Sequence, residues 1–181
     1  ITGYINWENA QYVFNYIKEN PRPVNSTKIY GSDRGSWLDR GITTEHAIQT
    51  FFRNVLGGFA SSRFHRPPSG LGLSQASINC IRTVRKAESL VKIWDIDPRM
   101  ELIETEESNQ VYLAAREGKA YVIYFTGPWK CSLDLTGYDK SFTARWIDIE
   151  TGEWDRTERL KGGAVVELRS GFEKGALVVI K

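Results

Sequence analysis

The first half of the chain alternates between two periodicities. Apolar residues recur at helical spacing over 6–19, about 44–56 and about 74–91, which predicts three amphipathic helices. Two short extended segments, 23–30 and 59–64, lie between the helices and predict strands. The predicted order is therefore α, β, α, β, α, which is typical of parallel βα units. In such units ligands gather at the carboxyl ends of the strands.

The second helix has boundary signals at both ends. Thr43 or Thr44 is suited to the N-cap, because its hydroxyl can accept a hydrogen bond from an otherwise unpaired N–H of the first turn. Gly57 and Gly58 are suited to end the helix. The polar segment 32–41 is therefore predicted to be the loop that connects the first strand to this helix.

Beyond residue 97 the pattern changes to short alternating strands. Turn segments, each containing at least one glycine, separate these strands. The predicted strands are 111–115, 120–125, 131–135, 142–149, 153–160, 164–168 and 176–180. Seven short strands at this spacing predict an antiparallel β-sandwich. The sequence therefore divides near Asp97 into an α/β part, residues 1–97, and an all-β domain, residues 98–181.

The α/β part has too few strands to form a complete fold. A parallel pair of strands leaves both sheet edges open and much of each apolar helix face uncovered. The chain also begins with Ile1 instead of Met, and a helical pattern follows almost at once. These features predict a chain cut from a longer precursor, whose upstream residues supply the remaining strands.

Charge and composition narrow the classes of function. The 24 basic and 22 acidic residues give a net charge of +2 and are scattered, so no basic stripe favours nucleic acid or an anionic membrane surface. No apolar run approaches the length of a membrane span. The sequence contains no metal-ligand cluster, phosphate loop or nucleotide fingerprint, which predicts no metal and no cofactor. We expect a globular protein without a nucleic-acid or membrane partner.

The cysteines and the aromatic residues each allow two interpretations. Cys80 and Cys131 have no metal-like spacing and are predicted to be buried free thiols, with a disulfide between them as the alternative. The 6 Trp, 8 Tyr and 8 Phe exceed what a plain core of this size needs. Such a surplus is common where proteins contact sugar rings, and also in well-packed sandwiches.

Several runs of residues resemble parts of a known family. The runs in the first half are KIYGSD at 28–33, EHAIQTFFRNVLGG at 45–58 and SRFHRPP at 62–68. They look like the seventh and eighth βα units of a glycoside hydrolase barrel of the apiosidase-like group. The segments that resemble the collagen-binding-type β-sandwich following that barrel are 111–115, 144–148, 151–152 and 176–180. The resemblance covers nearly the whole chain.

The resemblance implies a fold and an activity. It implies the last two βα units of a partial TIM (β/α)8 barrel, followed by an antiparallel β-sandwich as an accessory domain. It also implies a fragment of a bacterial glycoside hydrolase acting on a plant or bacterial polysaccharide, with its active site at the carboxyl-terminal face of the barrel. Such a substrate implies a secreted protein, periplasmic or extracellular. The implied partners are a carbohydrate and the missing amino-terminal part of the barrel.

The sequence departs from the family pattern at the catalytic positions. Barrels of this group carry an acid/base at the end of the fourth strand and a nucleophilic carboxylate at the end of the seventh. Here the strand that resembles the seventh ends Ile29-Tyr30-Gly31, and the first carboxylate after it is Asp33. The fourth strand is absent. This chain alone is therefore expected to be inactive.

Three residues are candidates for a catalytic role. Asp33 is the carboxylate nearest to the first strand end, although an Asp in a Gly/Ser loop also forms turns. His65 follows the second strand and could bind a sugar hydroxyl or carboxylate, or serve as a structural histidine. Glu45 lies in the first turn of a helix, where the helix dipole alone favours an acid. If the two strands are parallel neighbours, Asp33 and His65 are expected to converge on one face together with Trp37 and Arg66. Glu45 would lie behind them as a partner of Arg66 or His65.

Three further residues are candidates for substrate binding. Trp37, an aromatic residue in a polar loop, is suited to stacking on a sugar face. Arg66 follows His65 and would donate hydrogen bonds to sugar oxygens. Arg63 precedes His65 by two residues, so strand alternation directs both side chains into the barrel. There Arg63 would need a buried carboxylate from the missing half.

Two other functions stay open at this point. The chain could be a noncatalytic carbohydrate-binding or accessory module, if the Tyr30-Gly31 strand end means that the chemistry has been lost. It could also be a structural sandwich that braces a barrel without a ligand of its own. The sequence upstream of Ile1 would separate a hydrolase from a noncatalytic module, because a hydrolase needs carboxylates at the end of a fourth barrel strand.

Overall fold

A computed structural model describes residues 6–30, 42–65, 67 and 70–181. The chain has a mixed α/β fold in which most strand pairs are antiparallel. It forms two compact units, Ile1–Ile81 and Arg82–Lys181. The domain boundary near Asp97 stays a prediction. Among the described residues, no helix is both long enough and apolar enough to cross a membrane.

The first unit is built from alternating helices and strands. Its elements are α1 (Asn6–Ile17), β1 (Asn25–Ile29), α2 (Thr44–Leu56), β2 (Ser61–Phe64) and the first part of α3 (Gln75–Glu88). The strands β1 and β2 pair in parallel. The element order predicted from the periodicity is confirmed. The element ends shift by up to three residues, because the ends of helices and strands fray.

Thr43 is the N-cap of α2. Its hydroxyl oxygen accepts a hydrogen bond from the backbone N–H of His46, at 3.3 Å. In return Nδ1 of His46 accepts a hydrogen bond from the backbone N–H of Thr43, at 3.2 Å. This reciprocal pair is a capping box in which a histidine takes the place of the usual Glu or Gln. The structure thus selects Thr43 over Thr44.

Two glycines let α1 approach the end of α2. A Cβ atom added at Gly57 would lie 2.6 Å from the Cβ atom of Ala10, and one added at Gly58 would lie 2.6 Å from Cδ2 of Phe14. Gly58 also has a φ of +88°, a left-handed conformation that other residues rarely adopt. The same two residues therefore end α2 and make room for α1.

The helix α2 covers one face of the β1–β2 pair. Phe64 of β2 is buried, and its ring stacks on Phe51 of α2 with the centroids 4.8 Å apart. Phe51 also packs edge-on against Phe52, at 5.3 Å between centroids. Ile29 of β1 is buried as well. Because successive side chains of a strand point to opposite faces, the neighbours of Ile29 and Phe64 face away from α2.

The second unit, every residue of which the structure describes, holds nine strands. They are β3 (Asp97–Pro98), β4 (Ile103–Thr105), β5 (Val111–Arg116), β6 (Ala120–Phe125), β7 (Lys130–Asp134), β8 (Ser141–Asp148), β9 (Glu153–Lys161), β10 (Val165–Arg169) and β11 (Ala176–Ile180). Strands β5 to β11 are the seven that the alternating pattern predicts, with ends shifted by one residue at most. Strands β3 and β4 were not predicted, because two or three residues are too few to show alternation.

Two antiparallel sheets share one core in this unit. The larger sheet has the strand order β3-β5-β6-β11-β8-β9, and the smaller has the order β10-β7-β4. Trp146 of β8 is fully buried between them, with ring centroids 5.4 Å from Phe125 and 6.4 Å from Phe172. The guanidinium of Arg156 lies 4.1 Å from the centroid of the Trp146 ring. The guanidinium therefore covers the indole in a cation–π contact and also bonds to Glu158, at 2.7 Å.

The outward face of the larger sheet is buried as well. Tyr112 and Tyr124 alternate with core residues of β5 and β6, and they are only 2% and 1% exposed. Their rings stack across the two strands with the centroids 6.2 Å apart. In the part of the sheet formed by β5, β6 and β11 both faces are therefore buried, which is unusual because antiparallel sheets commonly have one solvated face.

Contacts from α3 and the segment after it reach this sheet. Lys86 of α3 forms an ion pair with Glu153 of β9. The ammonium of Lys181 donates a hydrogen bond to the carbonyl oxygen of Leu90, at 3.2 Å. Residues from Arg82 onward therefore belong structurally with the two sheets, as the division of the chain also indicates.

Both cysteines are free and buried, as predicted. Burial raises the pKa of the Cys80 thiol to about 12. Burial, assisted by the negative charge of Glu167, raises the pKa of the Cys131 thiol to about 12 as well. Both thiols are therefore neutral at physiological pH, and neither is poised to act as a nucleophile.

Candidate functional site

The carboxyl ends of β1 and β2 lie side by side. The strands are parallel, with Asn25 opposite Ser61 and Ile29 opposite Phe64. Beyond the last pair, the backbone N–H of His65 donates a hydrogen bond to the carbonyl oxygen of Ile29, at 2.8 Å. The prediction that the two strands are parallel neighbours is confirmed.

Tyr30 and His65 meet at these strand ends. Each follows the last residue of its strand, and each comes directly after a buried residue. Their rings stack with the centroids 4.6 Å apart and an interplanar angle of 26°. Both residues are half-buried. The strand ends therefore present a pair of stacked polar aromatic rings, which we call the Tyr30–His65 stack.

The face of β1 and β2 away from α2 is polar. At its amino-terminal end the hydroxyl of Ser61 donates a hydrogen bond to Oδ1 of Asn25, at 2.9 Å. Lys28 and Arg63 are exposed and alternate with Ile29 and Phe64, which are buried. Arg63 thus lies on the same side of its strand as His65, as alternation predicts. This face can donate hydrogen bonds from two cations to an oxygen-rich partner.

Glu45 lies in the first turn of α2 and is exposed. Its Oε1 accepts a hydrogen bond from the side-chain amide of Gln49, at 3.2 Å. Oε1 of Gln49 in turn accepts one from Arg53, at 3.0 Å. Glu45 thus starts a chain of side-chain bonds along its own helix. A catalytic role for Glu45 stays a prediction, as does the binding role of Arg63.

Three of the predicted site residues, Asp33, Trp37 and Arg66, lie outside the described residues. His65, Arg63 and Glu45 lie within them, and the structure brings His65 to the strand ends. The sequence pattern does not single out Tyr30, which it predicts only as the last residue of a strand. The available signal was its position, because Tyr30 follows β1 just as His65 follows β2.

The second unit has a shallow polar depression on the outward face of its smaller sheet. Glu104, Ser132 and Glu167 lie opposite one another on β4, β7 and β10. Lys130 and Glu106 border the same depression and form an ion pair at 2.7 Å. This arrangement is typical of a solvated sheet face, since each charged group has room for water.

Solved structures of glycoside hydrolases resemble the chain. One, described as a glycoside hydrolase, matches 96% of this chain and 46% of its own length, with a TM-score of 0.66 and 10% sequence identity. Another is the crystal structure of a glycoside hydrolase family 5 protein from Bacteroides vulgatus ATCC 8482. It matches 96% of this chain and 44% of its own length, with a TM-score of 0.65 and 12% identity. This chain therefore spans less than half the length of these neighbours.

Sequence comparison adds no relative. No protein-family model matches the chain, and no curated protein matches it. At 10% and 12% identity the structural likeness concerns the fold alone. The chain has a glycoside hydrolase-like fold over nearly its whole length.

Proposed function

We propose that this chain is the carboxy-terminal part of a secreted bacterial glycoside hydrolase. In this proposal β1 and β2 are the last two strands of a (β/α)8 barrel that residues outside this chain complete. The second unit is the β-sandwich accessory domain that follows the barrel. The active site lies at the carboxyl ends of the barrel strands, and its substrate is a plant or bacterial polysaccharide.

The observation that carries this proposal is the parallel pairing of β1 and β2. Their adjacent carboxyl ends carry Tyr30 and His65, whose rings are in contact. Barrel enzymes build their active sites at this end of parallel strands. The glycoside hydrolase neighbours support the proposal, because their chains match 96% of this one.

Catalysis by the usual route needs two opposed carboxylates. Asp33 is the carboxylate that this chain would contribute near the ends of β1 and β2. The second carboxylate would come from a strand outside the chain. We therefore expect that the 181-residue chain does not hydrolyse glycosides, and that a protein extended by its upstream coding sequence does.

The test measures release of nitrophenol from a panel of aryl glycosides by both proteins. In the extended protein His65→Ala should lower kcat/KM by about tenfold or more, because it removes a group at the reacting face. The matched control is Tyr16→Ala, which removes a ring that is 78% exposed on α1. Turnover by the short chain, or no effect of His65→Ala, would contradict the proposal.

A second candidate function is a noncatalytic carbohydrate-binding module. The observation that favours it is that Tyr30, and not a carboxylate, directly follows β1. In that case the extended protein would bind oligosaccharides and hydrolyse none of the aryl glycosides. The same experiment therefore separates the two candidates.

A further inference from the structure

We propose that the Tyr30–His65 stack is a sugar-contacting surface, and that Tyr30 is a ligand-binding residue of this chain. The ligand class is a pyranose sugar. This inference rests on the proposed function, because it names two residues of the same strand-end site. It concerns binding only and assigns no bond-breaking step to either residue.

The position of the stack is fixed from two sides. The backbone bond from His65 to Ile29 holds the two strand ends together at 2.8 Å. One residue earlier, Phe64 is anchored by its stack on Phe51 of α2. A strand held in this way directs His65, and its neighbour Tyr30, to the opposite face. The two rings are therefore placed by the paired strand backbones.

Mutual stacking also fixes the two side chains. At 4.6 Å and 26° each ring limits the rotation of the other. A ligand that binds such a prearranged pair does not have to order it, so less conformational entropy is lost on binding. Both residues are half-buried, so neither is sealed in the core.

The chemistry of the stack suits a sugar. A pyranose ring presents C–H groups on its faces and hydroxyl groups around its edge. Tyr and His present apolar ring faces together with a phenol oxygen and ring nitrogens that exchange hydrogen bonds. Arg63 precedes His65 by two residues, on the same exposed face, and offers further donors to sugar oxygens. Apolar surface combined with a few polar groups is typical of small-ligand sites.

A purely structural role is the alternative explanation of the stack. Tyr30 and His65 could simply cover the ends of the two strands. In that case substitutions would change stability, and sugars would leave the ring resonances unchanged. A ligand titration therefore separates the two explanations, because a structural role does not predict any response to sugar.

The experiment is an NMR titration of the 181-residue chain with the methyl glycosides of glucose, galactose, mannose and xylose. We expect at least one sugar to shift the ring resonances of both Tyr30 and His65 in a saturable way. The rings of Tyr12 and Tyr16, which stack on each other and are 72% and 78% exposed on α1, are the internal control and should not shift. Equal shifts at all four rings, or none at Tyr30 and His65, would overturn the proposal.

Two variants complete the test. Tyr30→Phe keeps the ring and removes one hydroxyl, so we expect an affinity about fivefold lower for the sugar that binds. Tyr30→Ala should abolish the shift at His65, while Tyr12→Ala should leave it intact. If Tyr30→Ala fails to fold, the titration of the unchanged chain and of Tyr30→Phe still decides the question.

Failure of this inference can be distinguished from failure of the proposed function. If the extended protein hydrolyses glycosides and no sugar shifts these rings, the hydrolase stands and the Tyr30–His65 surface is wrong. If sugars shift the rings and the extended protein is inactive, the surface stands and the chain belongs to a binding module.

Discussion

Single side chains at the helix and strand ends decide much of the local structure. The capping box of α2 shows this, because the hydroxyl of Thr43 and the ring of His46 bond to each other's backbone N–H groups. The sequence identified two adjacent threonines as candidates and could not choose between them. The choice depends on which residue turns its hydroxyl back toward the first turn, and that follows from backbone geometry beyond the local pattern.

The capping box predicts that substitution of Thr43 lowers the unfolding free energy more than substitution of Thr44. Thr43→Ala removes an acceptor for an N–H of the first turn, so the first unit should lose about 1 kcal/mol of unfolding free energy. The neighbouring Thr44→Ala replaces the first helical residue, outside the cap, and should cost much less. Urea unfolding followed by circular dichroism measures both. Equal losses for the two variants would show that the cap is not formed.

The buried thiols predict a dependence of stability on pH. In the folded chain both thiols have a pKa of about 12, whereas the ordinary value is 9.0. Above pH 9 the unfolded chain therefore loses protons that the folded chain retains, so the unfolding free energy falls as the pH rises from about 9 to 12. Cys80→Ala and Cys131→Ala should each flatten this fall in urea titrations. An unchanged slope in both variants would contradict the assignment.

At the scale of elements, packing of two helices depends on how closely their backbones can approach as much as on the hydrophobic pattern. The packing of α1 on the end of α2 depends on the absence of side chains at Gly57 and Gly58. The sequence predicted that these glycines end the helix. It gave no sign that they also contact Ala10 and Phe14, because that contact joins segments more than forty residues apart in the chain.

Gly58→Ala should destabilise the first unit for two reasons. The residue has a φ of +88°, which costs an alanine about 1 kcal/mol, and its Cβ would overlap Phe14. Gly72→Ala is the matched control, since Gly72 has a φ of +69° and no atom within 4 Å of the added Cβ. The overlap should make Gly58→Ala worse than Gly72→Ala by about 1–3 kcal/mol. Similar thermal midpoints for the two variants would mean that α1 does not pack there.

Alternation was enough to predict seven strands of the second unit, and not enough to predict how they pair. Strand β11 lies between β6 and β8 in the larger sheet, although both precede it by dozens of residues. Pairing of this kind depends on contacts across the whole unit, which a local pattern does not contain.

The candidate site shows the same limit of local sequence patterns. His65 was identified from its own neighbours, but Tyr30 becomes notable only once β1 and β2 are known to be parallel neighbours.

At the scale of the whole molecule, the second unit should fold without the first. The segment 82–181 keeps the ion pair between Lys86 and Glu153 and the bond from Lys181 to Leu90. We expect it to unfold in one cooperative transition. The shorter segment 100–181 is close to the all-β domain expected from the sequence. It lacks both contacts and the buried side chains of Val91 and Ile96, so its midpoint should be lower.

Thermal unfolding followed by near-ultraviolet circular dichroism compares the two segments. A variant of 82–181 with Lys86→Ala is the control for the ion pair alone. We expect it to lower the midpoint only slightly, because the Glu153 side chain is 62% exposed. If 100–181 were as stable as 82–181, residues 82–99 would contribute nothing to the unit.

The place of β11 in the larger sheet also has a consequence for synthesis of the protein. Within the larger sheet, β11 (residues 176–180) pairs with β6 on one side and with β8 on the other. Without it, β3, β5 and β6 have no hydrogen-bonded connection to β8 and β9. A nascent chain that has not yet released residues 176–180 from the ribosome holds two separate half-sheets with open edges. The second unit therefore cannot close its larger sheet during translation until those residues emerge, and a chain that stops short of residue 176 would expose both edges to aggregation.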